Sequence, residues 1–403
     1  MASIRKRGDS YRVTVSNGRD VSGKQIIETA TFAPDPSRTE KQNRKALEIF
    51  AFEFEQKVKS GKYLDGEKIT FQAFSDTWLK DYAEQHLELT TIDIYKKLLR
   101  VHIIPIIGHL KLSKIQPAHL NRLYNDMLTE RKDGKEGGYS PTTIKRVHAL
   151  ISSILSTAVK WNILLDNPCK RVTPPKQTKS IDDIKYFTLE ESAAFLGAVD
   201  ADLEAGRIQM QHKAFFHLAL FCGLRRGELI ALTWSDFDFS NCTVSITKST
   251  SIAEGKAITK APKNKTSIRT VAVPDSVIRL LKSYQKEQYQ LRLSLGTYWK
   301  GEGHVFIKAD GGQMYPSTPY SIFKDVIHRY NQQAAEKLPD IPLHGLRHTS
   351  ATLLISQNID VRTVSGRLGH AQTSTTMNIY SHQLKKKDEQ AADTLENLFA
   401  HIK

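Results

Sequence analysis

Between Asp166 and Lys185 the chain carries Pro168, Pro174 and Pro175, several lysines and almost no large apolar residue. A continuous core cannot run through such a stretch, which has little to bury and three residues that interrupt helices and strand ladders. Residues 166–185 therefore read as a linker with separate cores on either side. The 403 residues leave room for two or three of them.

Upstream of the linker the hydrophobic period changes once. Residues 1–32 read as strands: Tyr11–Ser16 alternates, Asn17-Gly18 is a hairpin turn signal, and Gln25–Phe32 supplies another strand. After Pro34 and Pro36, Ser37-Arg-Thr-Glu40 reads as a capping box. It opens a helix with Leu47, Phe50, Phe54 and Val58 on one stripe, ending near Gly61. A small β-sheet backed by one helix is thus expected over 1–65. Residues 66–165 read as all helix. Phe71, Phe74, Trp78 and Tyr82 form one stripe, and Thr90 caps a second helix that runs to Pro105. Pro117 opens a third helix and Ser140-Pro141 a fourth, with Ile144, Val147, Ile151, Ile154, Ala158 and Trp161 on its buried face. These stripes are core and not a cofactor box. From 186 to 403 the pattern is mixed α+β and mainly helical: helices around 188–198 and 213–221, strands around 243–250 and 267–273, then further helices.

Lys and Arg outnumber Asp and Glu by 58 to 43, a formal charge of +15. The excess suits a polyanion such as nucleic acid, with an anionic membrane surface as the other option. It is spread as +4, +6 and +5 over 1–65, 66–185 and 186–403, as in a chain that wraps its partner with every segment. Arg5, Lys6, Arg7, Arg12, Arg19 and Lys24 stand on the N-terminal sheet as candidate DNA contacts. Lys96, Lys97, Arg100, Lys145 and Arg146 fall on polar helix faces, where they meet either phosphates or water. Apolar runs fall short of the roughly 18–20 residues of a membrane span, and the basic start has no apolar segment behind it. Three scattered cysteines fit reduced thiols. A soluble cytoplasmic protein is the expectation.

Chemistry concentrates after the linker. Arg225 follows Gly223-Leu224 in an apolar context, and a buried guanidinium needs an anionic partner. Glu228, three residues on, is that partner on one helical face. Lys248, Lys256, Lys260, Lys263, Lys265 and Arg269 face one acid, Glu254, in the region between the two expected strands. His344 and Arg347 share a helix face, His370 stands just past a helix-stopping Gly369, and Tyr380 follows ten residues later. His344 and His348 at i, i+4 with His370 suggest zinc, but the glutamate base such a site needs is replaced by Gly345. No metal or nucleotide site is otherwise visible, neither a phosphate-binding glycine loop nor a carboxylate cluster for two metals. The remaining reading brings two arginines, a lysine, two histidines and a tyrosine to one phosphate. The arginines grip its oxygens, the tyrosine attacks, and lysine or histidine protonates the leaving sugar oxygen.

Gly223-Leu-Arg225-x-x-Glu228-Leu, His344-x-x-Arg347, Leu368-Gly-His370 and Tyr380, in this order and spacing, resemble the tyrosine recombinase (phage integrase) family. The N-terminal order resembles its arm-type members from lambda-like phages and conjugative transposons. The resemblance implies that Arg225 and Arg347 bind the scissile phosphate and Glu228 orients Arg225. His344 acts in acid/base chemistry and His370 bonds the phosphate. Tyr380 forms a 3′-phosphotyrosine and frees a 5′-hydroxyl, and no cofactor is needed. The family's hairpin lysine best matches Lys265, with Lys260 and Lys263 still open. Residues 1–65 are then an arm-site domain, 66–165 a helical core-site domain and 186–403 the catalytic domain. Double-stranded DNA at core and arm sites is the implied partner, bound by a homotetramer that resolves a Holliday junction. Accessory DNA-bending or excision proteins are further implied partners. The tail stripe Ala391, Leu395, Leu398 and Phe399 packs on its own domain or, as the family does, in trans on a neighbour. The implied activity is integration and excision of a bacterial mobile element, with the protein on the nucleoid when DNA-bound. An accessory DNA-binding protein without cleavage, and a resolvase of chromosome or plasmid dimers, are the competing readings.

Overall fold

A computed structural model describes residues 2–19, 23–59, 68–131, 133–176, 185–262 and 265–370, with 372, 377, 396, 399 and 400; residue 265 is described by its backbone. The chain divides into two compact units, Met1–Gln177 and Thr178–Lys403.

In the first unit β1 (Ser3–Arg7), β2 (Ser10–Arg19) and β3 (Gln25–Phe32) form an antiparallel sheet in that order. The alternation that predicts β2 buries Val13 and Val15 and leaves Arg12 and Thr14 half-exposed. Asn17-Gly18, expected as the turn, lies inside β2. The strand continues to Arg19, which pairs with Gln25, and its register shifts between Ser16 and Arg19. Gly18, at φ 84°, takes up the irregularity, because a residue without Cβ accepts positive φ cheaply. The β1–β2 turn is Gly8-Asp9 instead.

Helix α1 (Glu40–Lys59) buries Leu47, Ala51, Phe54 and Val58 in one small core with Val13 and Val15. Its capping box is Thr39 with Gln42, not Ser37 with Glu40. Gln42 Oε1 accepts from the Thr39 backbone N–H at 2.9 Å, and Thr39 Oγ1 accepts from Gln42 N–H at 3.4 Å. Ser37 is engaged elsewhere, donating its hydroxyl and its N–H to the Asp35 carboxylate.

The rest of the first unit is helical: α2 (Phe71–Trp78), α3 (Glu84–His86), α4 (Leu89–Leu98), α5 (Ile104–Ile107), α6 (Pro117–Thr129) and α7 (Pro141–Lys160). Thr90, expected as a cap, sits inside the first turn of α4, with Glu88 at the N-cap. Pro105 does not end its helix. A π-turn over Leu99–Ile103 widens the backbone ladder just before it, where a missing N–H is tolerated, and the helix runs on to Ile107. Trp161, expected in the core, caps α7 and is 39% exposed, touching Phe74 edge-on. The first residues of the 166–185 stretch pack on this bundle. Asn167 donates to Ser152 and Ser156, and Cys169 and Val172 are buried.

The second unit begins with α8 (Leu189–Glu204), capped by the Thr188–Glu191 box, followed by α9 (Met210–Phe221) and α10 (Arg226–Ala231). Strands β4 (Phe237–Asp238), β5 (Thr243–Ile246) and β8 (Arg269–Ala272) form an antiparallel sheet. The lysine-rich region between the expected strands folds into its own hairpin, β6 (Ser249–Ala253) and β7 (Lys256–Lys260). Glu254 and Gly255 turn it with positive φ at both residues, the geometry that matches strand twist. Then come α11 (Asp275–Leu295), α12 (Thr318–Gln333), α13 (Gly345–Ser356) and α14 (Val361–Leu368). Phe195 centres an aromatic core, 5.2 Å from Phe323 and 5.6 Å from Phe216, each ring contributing roughly 1.5–3 kcal/mol on burial. Asp202 of α8 is buried and takes both Arg207 and Arg329, which ties α8 to α12. Among the described residues no helix is long and apolar enough to cross a membrane.

In the first unit, Trp78 Nε1 donates to Thr157 Oγ1 at 3.0 Å inside the core. Thr157→Val leaves that indole N–H buried without an acceptor and is expected to cost about 1–3 kcal/mol in denaturant unfolding of the full chain, while Thr157→Ser retains wild-type stability.

Candidate active site

Arg225 sits at the N-cap of α10, where the sequence places a glycine turn and then a helix start. Glu228 reaches back over that turn: its carboxylate accepts from the Arg225 backbone N–H at 2.9 Å and from Arg225 Nη1 at 2.8 Å. The carboxylate thus satisfies an orphan amide of the helix start and holds the guanidinium at the same time.

Arg347 lies in the first turn of α13 and is 2% exposed. Its Nη1 donates to Gly223 O and its Nη2 to Leu368 O, both at 2.7 Å. His344 is the N-cap of the same helix, its ring perpendicular to that of His348 with centroids 4.9 Å apart. Helix α14 ends at Gly369 in the left-handed conformation, and the His370 N–H returns to Ser365 O at 3.1 Å.

That helix end gathers the site. Arg269 Nε donates to Arg367 O at 2.7 Å, Arg347 Nη2 to Leu368 O, and Arg225 Nη2 to Gly369 O at 3.0 Å. Three successive carbonyls, which a helix C-terminus leaves without intrahelical partners, each receive a guanidinium from a different element. The negative pole of the helix adds to the attraction. Gly369 is required there, since a Cβ would stand 2.9 Å from Arg269 Nη1 on a backbone at φ 66°.

Glu228 carries the compensating charge. It is 3% exposed and also takes Arg269, with Nη1 to Oε1 at 3.1 Å and Nη2 to Oε2 at 2.9 Å. Burial pushes its pKa up, but the bonds to Arg269, followed by those to Arg225, outweigh it and hold the carboxyl below its usual range. His344, His348 and His370 are each pushed down to about 4, first by burial and then by neighbouring positive charge. They are neutral imidazoles at pH 7. Arg225 and His344 line one cavity of about 420 Å³ with Leu224, Leu343 and Tyr320.

Arg225, Glu228, His344, Arg347 and His370 are therefore gathered around one helix end. Tyr380, Lys263 and the tail residues Ala391, Leu395 and Leu398 lie outside the described residues; Phe399 is exposed. The Lys265 backbone opens a short turn, Lys265–Ser267, just before β8. Lys260 is exposed on β7. Lys248 pairs with Asp236 at 3.0 Å and donates to Thr233 Oγ1, while its neighbours Ser249 and Thr250 lie against Gly227. Arg269, which in sequence is only one of the basic residues between the expected strands, is the first residue of β8. Its reach to Glu228 and α14 is tertiary. Among the described residues no three His, Cys, Asp or Glu side chains converge as metal ligands.

On the N-terminal sheet the register separates the basic residues. Arg5 pairs with Arg12 and Arg7 with Ser10 on the open face, whereas Lys6 pairs with Tyr11 on the face toward α1. Arg19 donates to Gly23 O, and Lys24 is exposed beside it. Lys96, Lys97, Arg100, Lys145 and Arg146 are all exposed on their helices.

Residues 185–387 match the model of the phage integrase family, and residues 70–128 match that of the phage integrase N-terminal SAM-like domain. A XerC-like tyrosine recombinase of Caldanaerobacter subterraneus subsp. tengcongensis is 30% identical over 98% of both chains. The ICEBs1 integrase of Bacillus subtilis is 31% identical over 66% of this chain and 69% of its own. Among solved structures, a fragment of the Tn1549 transposon integrase in complex with a circular intermediate DNA covers 80% of this chain and 100% of its own at TM-score 0.64 and 18% identity. A lambda integrase tetramer bound to a Holliday junction covers 92% of this chain and 96% of its own at TM-score 0.56 and 16% identity. These last two show a shared fold.

The lowered histidines set the sign of a pH effect. Above about 6.5 both folded and unfolded imidazoles are neutral; below it the unfolded chain binds protons that the folded site refuses, so stability falls as pH drops toward 4. Thermal unfolding is expected to shift to lower temperature between pH 7 and pH 5, with a shallower slope in His348→Gln.

Proposed function

The chain belongs to the phage integrase family of tyrosine recombinases, DNA strand-transferring enzymes that carry out site-specific recombination, and within it we propose an integrase that inserts and excises a mobile element. The observation that carries the reading is the joint anchoring of Arg225 and Arg347 on Leu368 and Gly369, beside His370 and the helix that bears His344. Two guanidiniums locked on adjacent carbonyls, with neutral imidazoles around them, form a preorganised receptor for the spreading charge of a phosphoryl transition state.

In this mechanism Tyr380 Oη attacks the scissile phosphorus and the bond to O5′ breaks. Neutral His344 accepts the tyrosine proton, and a hairpin lysine protonates the leaving 5′-oxygen. The 3′-phosphotyrosine keeps the phosphodiester energy, so a 5′-hydroxyl from another duplex reverses the step and yields a Holliday junction. Arg225, Arg347 and His370 hold the phosphate throughout, and Glu228 orients Arg225. Lys265 is assigned as the general acid by its Lys-Thr-x-x-Arg context. Lys248 is the competing lysine, because its chain neighbours pack against Gly227 beside Arg225.

The DNA partner follows from charge distribution and from solved relatives bound to DNA. The open sheet face, with Arg5 directly opposite Arg12, suits an anionic groove, since like charges paired across strands repel until an anion lies between them. Exposed Lys96, Lys97, Arg100, Lys145 and Arg146 serve core-site phosphates. A homotetramer, exchanging tails in trans, brings two duplexes together.

A nicked duplex from the ends of the surrounding element, incubated in EDTA, tests the reaction: a denaturation-resistant protein–DNA band is expected, absent in Tyr380→Phe. Tight binding without a band from the wild type favours an accessory DNA-binding role instead. A 5′-bridging phosphorothiolate identifies the acid, because a thiolate leaves without protonation. Lys265→Ala is expected to lose about 100-fold or more on the oxygen substrate and to recover on the sulfur one. That pattern in Lys248→Ala instead transfers the role.

A further inference from the structure

We propose that Arg269 is a positioning residue for the phosphate site: it takes up the charge of Glu228, so that Arg225 keeps its own positive charge for DNA. The proposal rests on the strand-transfer reading above.

Glu228 is one buried carboxylate between two guanidiniums. Arg269 engages both of its oxygens in a fork, whereas Arg225 reaches Oε1 through Nη1 and turns Nη2 to Gly369 O. Arg269 is also held by Arg367 O and Ser267 O, and its side chain is 8% exposed, so it has no path outward to DNA. Arg225 is 35% exposed and lines the cavity with His344. The group of three carries a net positive charge, and that surplus sits at its outer end. Without Arg269 the buried carboxylate has a single partner left. It then draws Arg225 inward and neutralises it, because an unpaired buried charge is costly. The Glu228 carboxyl is lowered more by Arg269 than by Arg225, in line with this division.

A methylphosphonate at the scissile position replaces one charged oxygen by a methyl group. Tyr380 attack still breaks the same P–O5′ bond, with less charge for Arg225 to meet. Cleavage of nicked half-sites is therefore compared on the phosphodiester and on the methylphosphonate. Arg269→Gln is expected to lose about 100-fold on the phosphodiester and less than about tenfold on the methylphosphonate. Arg269→Gln combined with Glu228→Gln, which removes both charges of the pair, is expected to regain at least about tenfold on the phosphodiester. Equal losses on both substrates mean a purely structural role and overturn the proposal, as does unchanged phosphodiester cleavage. If Arg269→Gln does not fold, Arg269→Lys is read instead: it keeps the charge and is expected to lose less than about tenfold on the phosphodiester, and an equal large loss on both substrates again overturns the proposal. Failure of the wild type to form the Tyr380-dependent adduct on the phosphodiester defeats the strand-transfer reading itself, before any Arg269 variant is made, and takes this proposal with it.

Discussion

The last carbonyls of α14 hold the polar interior of the second unit together. A helix that stops at Gly369 leaves Arg367 O, Leu368 O and Gly369 O pointing away from its own ladder. The chain fills these acceptors with Arg269 from β8, Arg347 from α13 and Arg225 from the turn before α10. Guanidinium is suited to the task, since its planar fork donates in several directions and stays charged under any physiological condition. Arg347, 2% exposed, is affordable in that position because two carbonyls receive it. Ala351 and Ile355 of α13 pack with Val364 and Leu368 of α14 in a small apolar cluster of their own, and the arginine bonds tie that helix end to α10 and β8.

Partial charges on carbonyls satisfy hydrogen bonds without cancelling a full positive charge. Glu228, shared between Arg225 and Arg269, supplies one full negative charge against them. The site therefore keeps a positive surplus, while His344, His348 and His370 remain neutral through burial and that same surplus. On the N-terminal sheet the open face repeats the principle at lower cost, with exposed Arg5 opposite half-exposed Arg12.

Local signals were readable where one residue type had one physical solution. Ser140-Pro141 and Pro117 opened helices as expected, because such starts act over three residues. Signals with two solutions misled. Gly18 serves a turn or a bulge equally well, and strand pairing chose the bulge. Ser37 can cap a helix or bind Asp35, and the nearer carboxylate won. Pro105 ends a regular helix but is tolerated after a π-turn. Between the two expected strands the chain adds a hairpin of its own, whose short polar strands β6 and β7 are defined only by their pairing with each other.

The residue set Arg225, Glu228, His344, Arg347 and His370 was legible from sequence, since buried arginines and histidines in apolar surroundings demand partners and their spacing matches a known family. The chain's own order also determined that an N-terminal sheet, a helical bundle and a mixed domain follow one another. Which carbonyl each arginine holds was decided by tertiary structure alone, because the donors and acceptors come from elements far apart in the chain. Arg269 shows the difference most clearly. In sequence it is one basic residue at the head of a strand; in the folded chain it is the second partner of a buried carboxylate, because packing brings β8, α10 and α14 within hydrogen-bond reach.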